Sequence, residues 1–91
     1  MEPNLPTWFK YRQGKAEPAG ENTLKLTTPN LPDEFIAIRR AENGNYQGIY
    51  RNTAAGPDVT VTQTEYVVPG EAWGAAFELY RNQVVTGALL N

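Results

Sequence analysis

The chain has 91 residues, a net charge of −2, 41% hydrophobic and 11% aromatic residues, and no cysteine, histidine or serine. Those three absences exclude Ser-His-Asp and Cys-His nucleophilic arrangements, disulfides, and zinc, haem or copper sites built from Cys and His. The lysines and arginines are scattered, which gives no electrostatic footprint for nucleic acid or an anionic membrane.

A chain this short reads as a single domain over residues 1–91, rich enough in apolar residues for a core and too rich for disorder. It buries only roughly 60–65% of its unfolded surface, so each core aromatic matters. No apolar run approaches the ~20 residues that span a bilayer. The start, MEPNLPTWFKYRQ, lacks the basic segment and apolar stretch of a secretory leader, so a cytoplasmic location is expected.

Residues 1–6, with Pro3 and Pro6, read as an extended lead-in. Thr7–Gln13 reads as a strand, with Phe9 and Tyr11 on one face and Trp8, Lys10 and Arg12 on the other. Gly14–Asn22 reads as a polar loop. Thr23–Thr28 alternates as a half-buried strand with Leu24 and Leu26 inward. Two prolines between Thr28 and Asp33 make a rigid connector.

The central signal is Asp33–Asn52, two strand-like runs around Asn43-Gly44. A two-residue type I′ turn there, with φ > 0 at both central positions, sets Ala41 opposite Tyr46, Arg39 opposite Gly48, Ile38 opposite Ile49 and Ala37 opposite Tyr50. Ile36, Ile38 and Ile49 then share an aliphatic face. Phe35, Ala37, Arg39, Tyr46 and Tyr50 share an aromatic and partly charged one.

Val59–Val68 is the longest β-run. Its apolar parity switches from Val59 and Val61 to Tyr66 and Val68, which predicts a bulge or bend near Gln63–Glu65, as where a strand passes between two sheets. Pro69-Gly70 reads as a turn. Glu71–Tyr80 fits a strand, with Trp73, Ala75, Phe77 and Leu79 in line. It also fits a helix over 71–82, with Ala72, Trp73, Ala76, Phe77 and Tyr80 as its stripe. Gly74 inside the segment and the missing Ser, Thr, Asp or Asn cap favour the strand. Val84–Thr86 reads as its return strand, and residues 87–91 as a tail.

About seven short strands predict an all-β, antiparallel sandwich or small barrel, with an immunoglobulin- or fibronectin-III-like sandwich favoured as a fold analogy. The fold alone carries no function.

The expected function is non-catalytic: a protein–protein interaction module, such as an assembly subunit, adaptor or inhibitor, or a self-associating chain. It would bind through the aromatic and arginine face of the hairpin. The candidate binding residues are Tyr46, Tyr50, Arg39, Arg51, Trp8 and Trp73, because Tyr, Trp and Arg dominate interface hot spots. A domain this small also needs aromatics for its core, and arginines on an exposed strand discourage edge pairing. The alternative is a carbohydrate-binding module with Trp or Tyr as stacking platforms. Without a calcium-type loop or a glycine-rich phosphate loop, no cofactor is expected.

Overall fold

In the computed structural model, which describes residues 4–54 and 56–86, the chain forms one open, five-stranded antiparallel sheet backed by a C-terminal helix. A short helix α1 (Thr7–Tyr11) leads into β1 (Lys15–Gly20), β2 (Thr23–Thr27), β3 (Glu34–Arg40), β4 (Tyr46–Arg51) and β5 (Thr60–Val61). Helix α2 (Pro69–Tyr80) follows and runs into a π-helical turn, Arg81–Val85. The strands are ordered as they occur, β1-β2-β3-β4-β5, so every connection is local. Where a sandwich would set a second sheet, α2 lies across β3 and β4. The expected tail, residues 87–91, and the first three residues of the lead-in lie outside the described residues.

The segment read as a strand over Glu71–Tyr80 is a helix, and it buries the helical stripe: Ala72, Trp73, Ala76, Phe77 and Tyr80. Its start signal is Pro69 at the first turn, where the missing N–H would have had no partner and the fixed φ suits the helix. Gly74 is exposed with nothing near it, so it costs about 1 kcal/mol against alanine and no packing. The small residues Ala72 and Ala76 let the helix backbone settle on Gly48 of β4. A Cβ there would fall 2.7 Å from the Ala72 carbonyl oxygen and 2.8 Å from the Ala76 nitrogen.

Thr7–Tyr11 is likewise helical rather than extended. Strand alternation would part Trp8 from Phe9, whereas a helix face carries both toward α2. Trp8 stacks on Tyr80 with ring centroids 6.4 Å apart, and Phe9 meets Phe77 at 5.3 Å and Tyr80 edge-on at 6.2 Å. Val84 and Val85, expected in a return strand, are buried in the π turn.

The polar stretch Gly14–Asn22 contains a strand, β1, that the sequence hides. As an edge strand it carries Pro18, Lys15 and Glu17, which blunt pairing with other chains and leave no apolar run.

The Asn43-Gly44 hairpin forms with a different register. Phe35 pairs with Arg51, Ile36 with Tyr50, Ala37 with Ile49, Ile38 with Gly48, Arg39 with Gln47 and Arg40 with Tyr46. The loop has three residues, Glu42, Asn43 and Gly44, closed by Ala41 N–H to Asn45 O at 2.7 Å and Gly44 N–H to Ala41 O at 2.9 Å. Gly44 has φ +90°, but Asn43 does not enter the positive-φ region. Its side chain instead accepts the Asn45 N–H at 3.0 Å, as an Asx turn. This is a type I turn with a glycine bulge rather than a type I′ turn.

A slip of one residue between strands exchanges the faces of one strand relative to the other. Tyr46 and Tyr50 therefore join Ile36 and Ile38 on the face under α2, while Ile49 joins Phe35, Ala37 and Arg39 on the other.

Val59–Val68 contributes only Thr60–Val61 as a strand. After a bend, the chain returns to the same partner: Tyr46 and Tyr66 exchange backbone hydrogen bonds at 2.7 and 2.8 Å. The parity switch marks the two faces of one sheet edge. Val61 sits opposite Ile49 on the uncovered face, and Tyr66 packs against the core under α2.

Candidate functional site

The tip of the β3–β4 hairpin gathers more of the candidate binding residues than any other place in the described chain. Arg39 and Arg40 end β3, and Tyr46 begins β4, so the three-residue turn holds them at one end of the sheet. Successive residues of a strand point to opposite faces, which sends the two arginines to opposite sides.

On the uncovered face, Arg39 donates to the Gln47 Oε1 at 3.1 Å and to Asp58 at 3.0 Å. Arg51 donates to the other Asp58 oxygen at 2.9 Å. One carboxylate therefore bridges two guanidiniums across β4. On this face Ile49 is fully buried although, among the described residues, no helix or second sheet covers it. The register surrounds Ile49 with Phe35, Ala37, Arg39, Gln47, Arg51 and Val61.

On the helix side, Arg40 lies 5.9 Å from the Tyr46 ring centroid as a cation–π pair. Among the described residues no carboxylate comes within ion-pair distance of Arg40. A hollow of about 350 Å³ opens here, lined by Asn22, Ile38, Arg39, Arg40, Tyr46, Pro69 and Trp73. Val67 and Val68 lead directly into Pro69 and are 76% and 51% exposed. A second hollow of about 570 Å³ is lined by residues of the turn with Arg39, Arg40 and Glu65. Asn43 donates to Glu65 and ties the turn to the β5–α2 connection.

Of the six expected binding residues, the structure brings Arg39, Tyr46 and Trp73 to one hollow and joins Arg39 to Arg51 through Asp58. Tyr50 is buried in the core, so it is no part of an exposed aromatic face. Trp8 is half-buried at the other end of α2, between Tyr80 and the Arg81 guanidinium 5.4 Å from its ring. Trp73 is only 7% exposed, so it can contribute an edge but not an open ring face. Arg40 and Asp58, which the structure places beside Tyr46 and between the two arginines, are not among the six. The correct turn length would have found Arg40.

The groups with displaced pKa values cluster at the opposite end of the hairpin. Burial raises the Glu34 carboxyl above its ordinary value, and the nearby Asp33 adds to the rise. The Tyr50 hydroxyl offers a hydrogen bond that pulls it back. Tyr50 itself is pushed up to about 12 by burial and by the Glu34 charge. Burial also raises Tyr80, whose hydroxyl shares a buried 2.9 Å hydrogen bond with Thr28 Oγ1. Among the described residues no three acidic side chains converge as metal ligands, and no helix is long and apolar enough to cross a membrane.

The tip can do what interface centres do: offer aromatic side chains and a guanidinium held over a ring within one concavity. Comparison with protein-family models, with curated proteins and with solved structures returns no match to this chain.

Proposed function

We propose that the chain is a non-catalytic interaction module that binds a protein partner through the tip of its central hairpin, as an assembly subunit, adaptor or inhibitor would. The observation that carries the reading is the hollow beside Arg40. There a guanidinium with no carboxylate partner among the described residues meets Tyr46 and Trp73, and the exposed Val67-Val68 pair precedes Pro69 of the lining in the chain. A partner fitting this surface inserts an apolar side chain and sets a carboxylate against Arg40, where a charge-assisted hydrogen bond forms at little reorganisation cost.

The amino-acid types support a binding role over a catalytic one. Without His, Cys or Ser, acid–base chemistry would rest on Glu34 or a tyrosine, and those shifted groups lie in the core rather than at the tip. The glycan-binding alternative ranks second, because stacking on a sugar needs an open ring face. Trp73 offers an edge, and Trp8 already carries Tyr80 and Arg81.

Proximity capture with the full chain, run beside Arg40→Glu, Val68→Asp and a distant control, Tyr11→Ser, tests the proposal. A partner lost with both tip variants and kept by the control supports it. Sedimentation of the same proteins reports whether that partner is a second copy. Capture that is indifferent to both tip variants contradicts it.

A further inference from the structure

A third concavity lies at the other end of α2, a helix about 18 Å long. It has a volume of about 360 Å³ and is lined by Trp8, Tyr11 and Arg12 from α1 and by Arg81, Val85 and Thr86 from the helix end. Three features separate it from a chance hollow.

The first is charge. Two guanidiniums border a mostly aromatic and aliphatic groove. Arg12 Nε is shielded from water and has no hydrogen-bond partner among the described residues. Arg81 is directed across the Trp8 ring at 5.4 Å. Its only carboxylate neighbour among the described residues, Glu78, stands 3.8 Å away on the open helix surface, too loose and too solvated to consume its charge.

The second feature is Tyr11. Its side chain is 89% exposed, the largest exposed aromatic surface described in the chain, and it stands at the mouth of the groove. The third is backbone. Helix α2 does not end after Tyr80 but widens into a π turn, in which the Thr86 N–H bonds back to the Arg81 carbonyl. The two ends of that turn, Arg81 and Thr86, are groove residues. Such turns are rare and are frequently found at functional sites.

We infer that the groove between α1 and the π turn is a ligand site for a small aromatic carboxylate. Arg12 and Arg81 receive the carboxylate, and the ring lies among Tyr11, Trp8 and Val85. The volume stands at the lower end of the range for small-molecule sites, which suits one ring with one short acidic arm. The inference is independent of the hairpin tip and survives or fails without it.

The test titrates phenylacetate into the full chain, with phenylacetamide as the neutral ligand of the same shape. Trp8 indole N–H and the arginine Nε–H groups are followed by ¹H–¹⁵N correlation spectra, and the Trp73 indole is the internal control. The expected result is saturable shifts at Trp8, Arg12 and Arg81 with a Kd on the order of 1–10 mM, as befits about ten heavy atoms. Phenylacetamide should bind at least about tenfold more weakly, the worth of a charge-assisted hydrogen bond. Arg81→Gln, an exposed substitution that leaves the core untouched, and Arg12→Gln should each weaken phenylacetate about tenfold. No saturable shift, equal affinity for the neutral amide, or shifts centred on Trp73 would each overturn the inference.

Discussion

The two faces of the β3–β4 ribbon reach burial by different means. Under α2, Ile36, Ile38 and Tyr50 sink into an aliphatic and aromatic core, and Gly48 lets the helix backbone approach the sheet. On the other face, Ile49 and Ala37 are equally buried, and Arg39 and Arg51 share Asp58 beside them. The first face is held by packing density, which one missing methylene disturbs. The second also carries a shared charge, which salt can loosen. Burial alone therefore does not reveal how a residue is held.

The largest expected effect breaks the covered face. Ile36→Ala should cost about 2–5 kcal/mol in denaturant unfolding, as a fully buried aliphatic truncation does. Phe35→Ala, its neighbour on the uncovered face and half-buried, should cost on the order of 1 kcal/mol. Equal losses would erase the distinction between the faces.

Next comes the helix–sheet contact. Gly48→Ala places a methyl group against the backbone of α2 and should cost about 1–3 kcal/mol, with a matching fall in Tm. Asp58→Ala releases both arginines at once. Each exposed ion pair is worth about 0.2–1 kcal/mol, so the loss should be about 1 kcal/mol and should shrink as salt is added. The smallest shift goes the other way: Gly74→Ala, on the open side of α2, should stabilise by about 0.5–1 kcal/mol.

pH sharpens the same contrast. Burial raises Glu34, so the folded chain keeps that proton to higher pH than the unfolded chain does. The native state binds more protons there, and stability should fall as pH climbs through the window above the ordinary value of 4.5. Glu34→Gln should remove that slope in urea midpoints measured across the window. Tyr50 follows the same sign in alkali. With its pKa near 12 in the fold, stability should drop above pH 10 as unfolded chains lose the proton first, and Tyr50→Phe should lessen the drop.

Much of the sheet is legible in the amino-acid order. Thr23–Thr27 and the two arms of the hairpin announce themselves by alternation and by Asn43-Gly44. The register is not legible, because an Asn-Gly pair suits both a two-residue turn and the last two positions of a three-residue loop. That one residue decides whether Tyr46 and Tyr50 face the helix or the solvent. Helix α2 is visible as a stripe, and only Gly74 and the missing Ser, Thr, Asp or Asn cap argue against it. Strand β1 was invisible because an edge defended by Lys15, Glu17 and Pro18 has the composition of a loop. At the candidate site the residue types were right and their grouping was not: Arg39 and Arg51 answer to Asp58, while Arg40 accompanies Tyr46.

The hairpin register is the claim on which both faces and the tip depend, and nuclear Overhauser contacts between Hα protons test it directly. In the non-hydrogen-bonded pairs of an antiparallel ladder the Cα atoms lie about 4.5 Å apart and their Hα protons meet. Contacts between Ile36 and Tyr50, Ile38 and Gly48, and Arg40 and Tyr46 are expected from the pairing described. Contacts between Ala37 and Tyr50 and between Arg39 and Gly48 would instead mean a two-residue turn. The tyrosines would then be returned to the uncovered face and the hollow beside Arg40 would be dismantled.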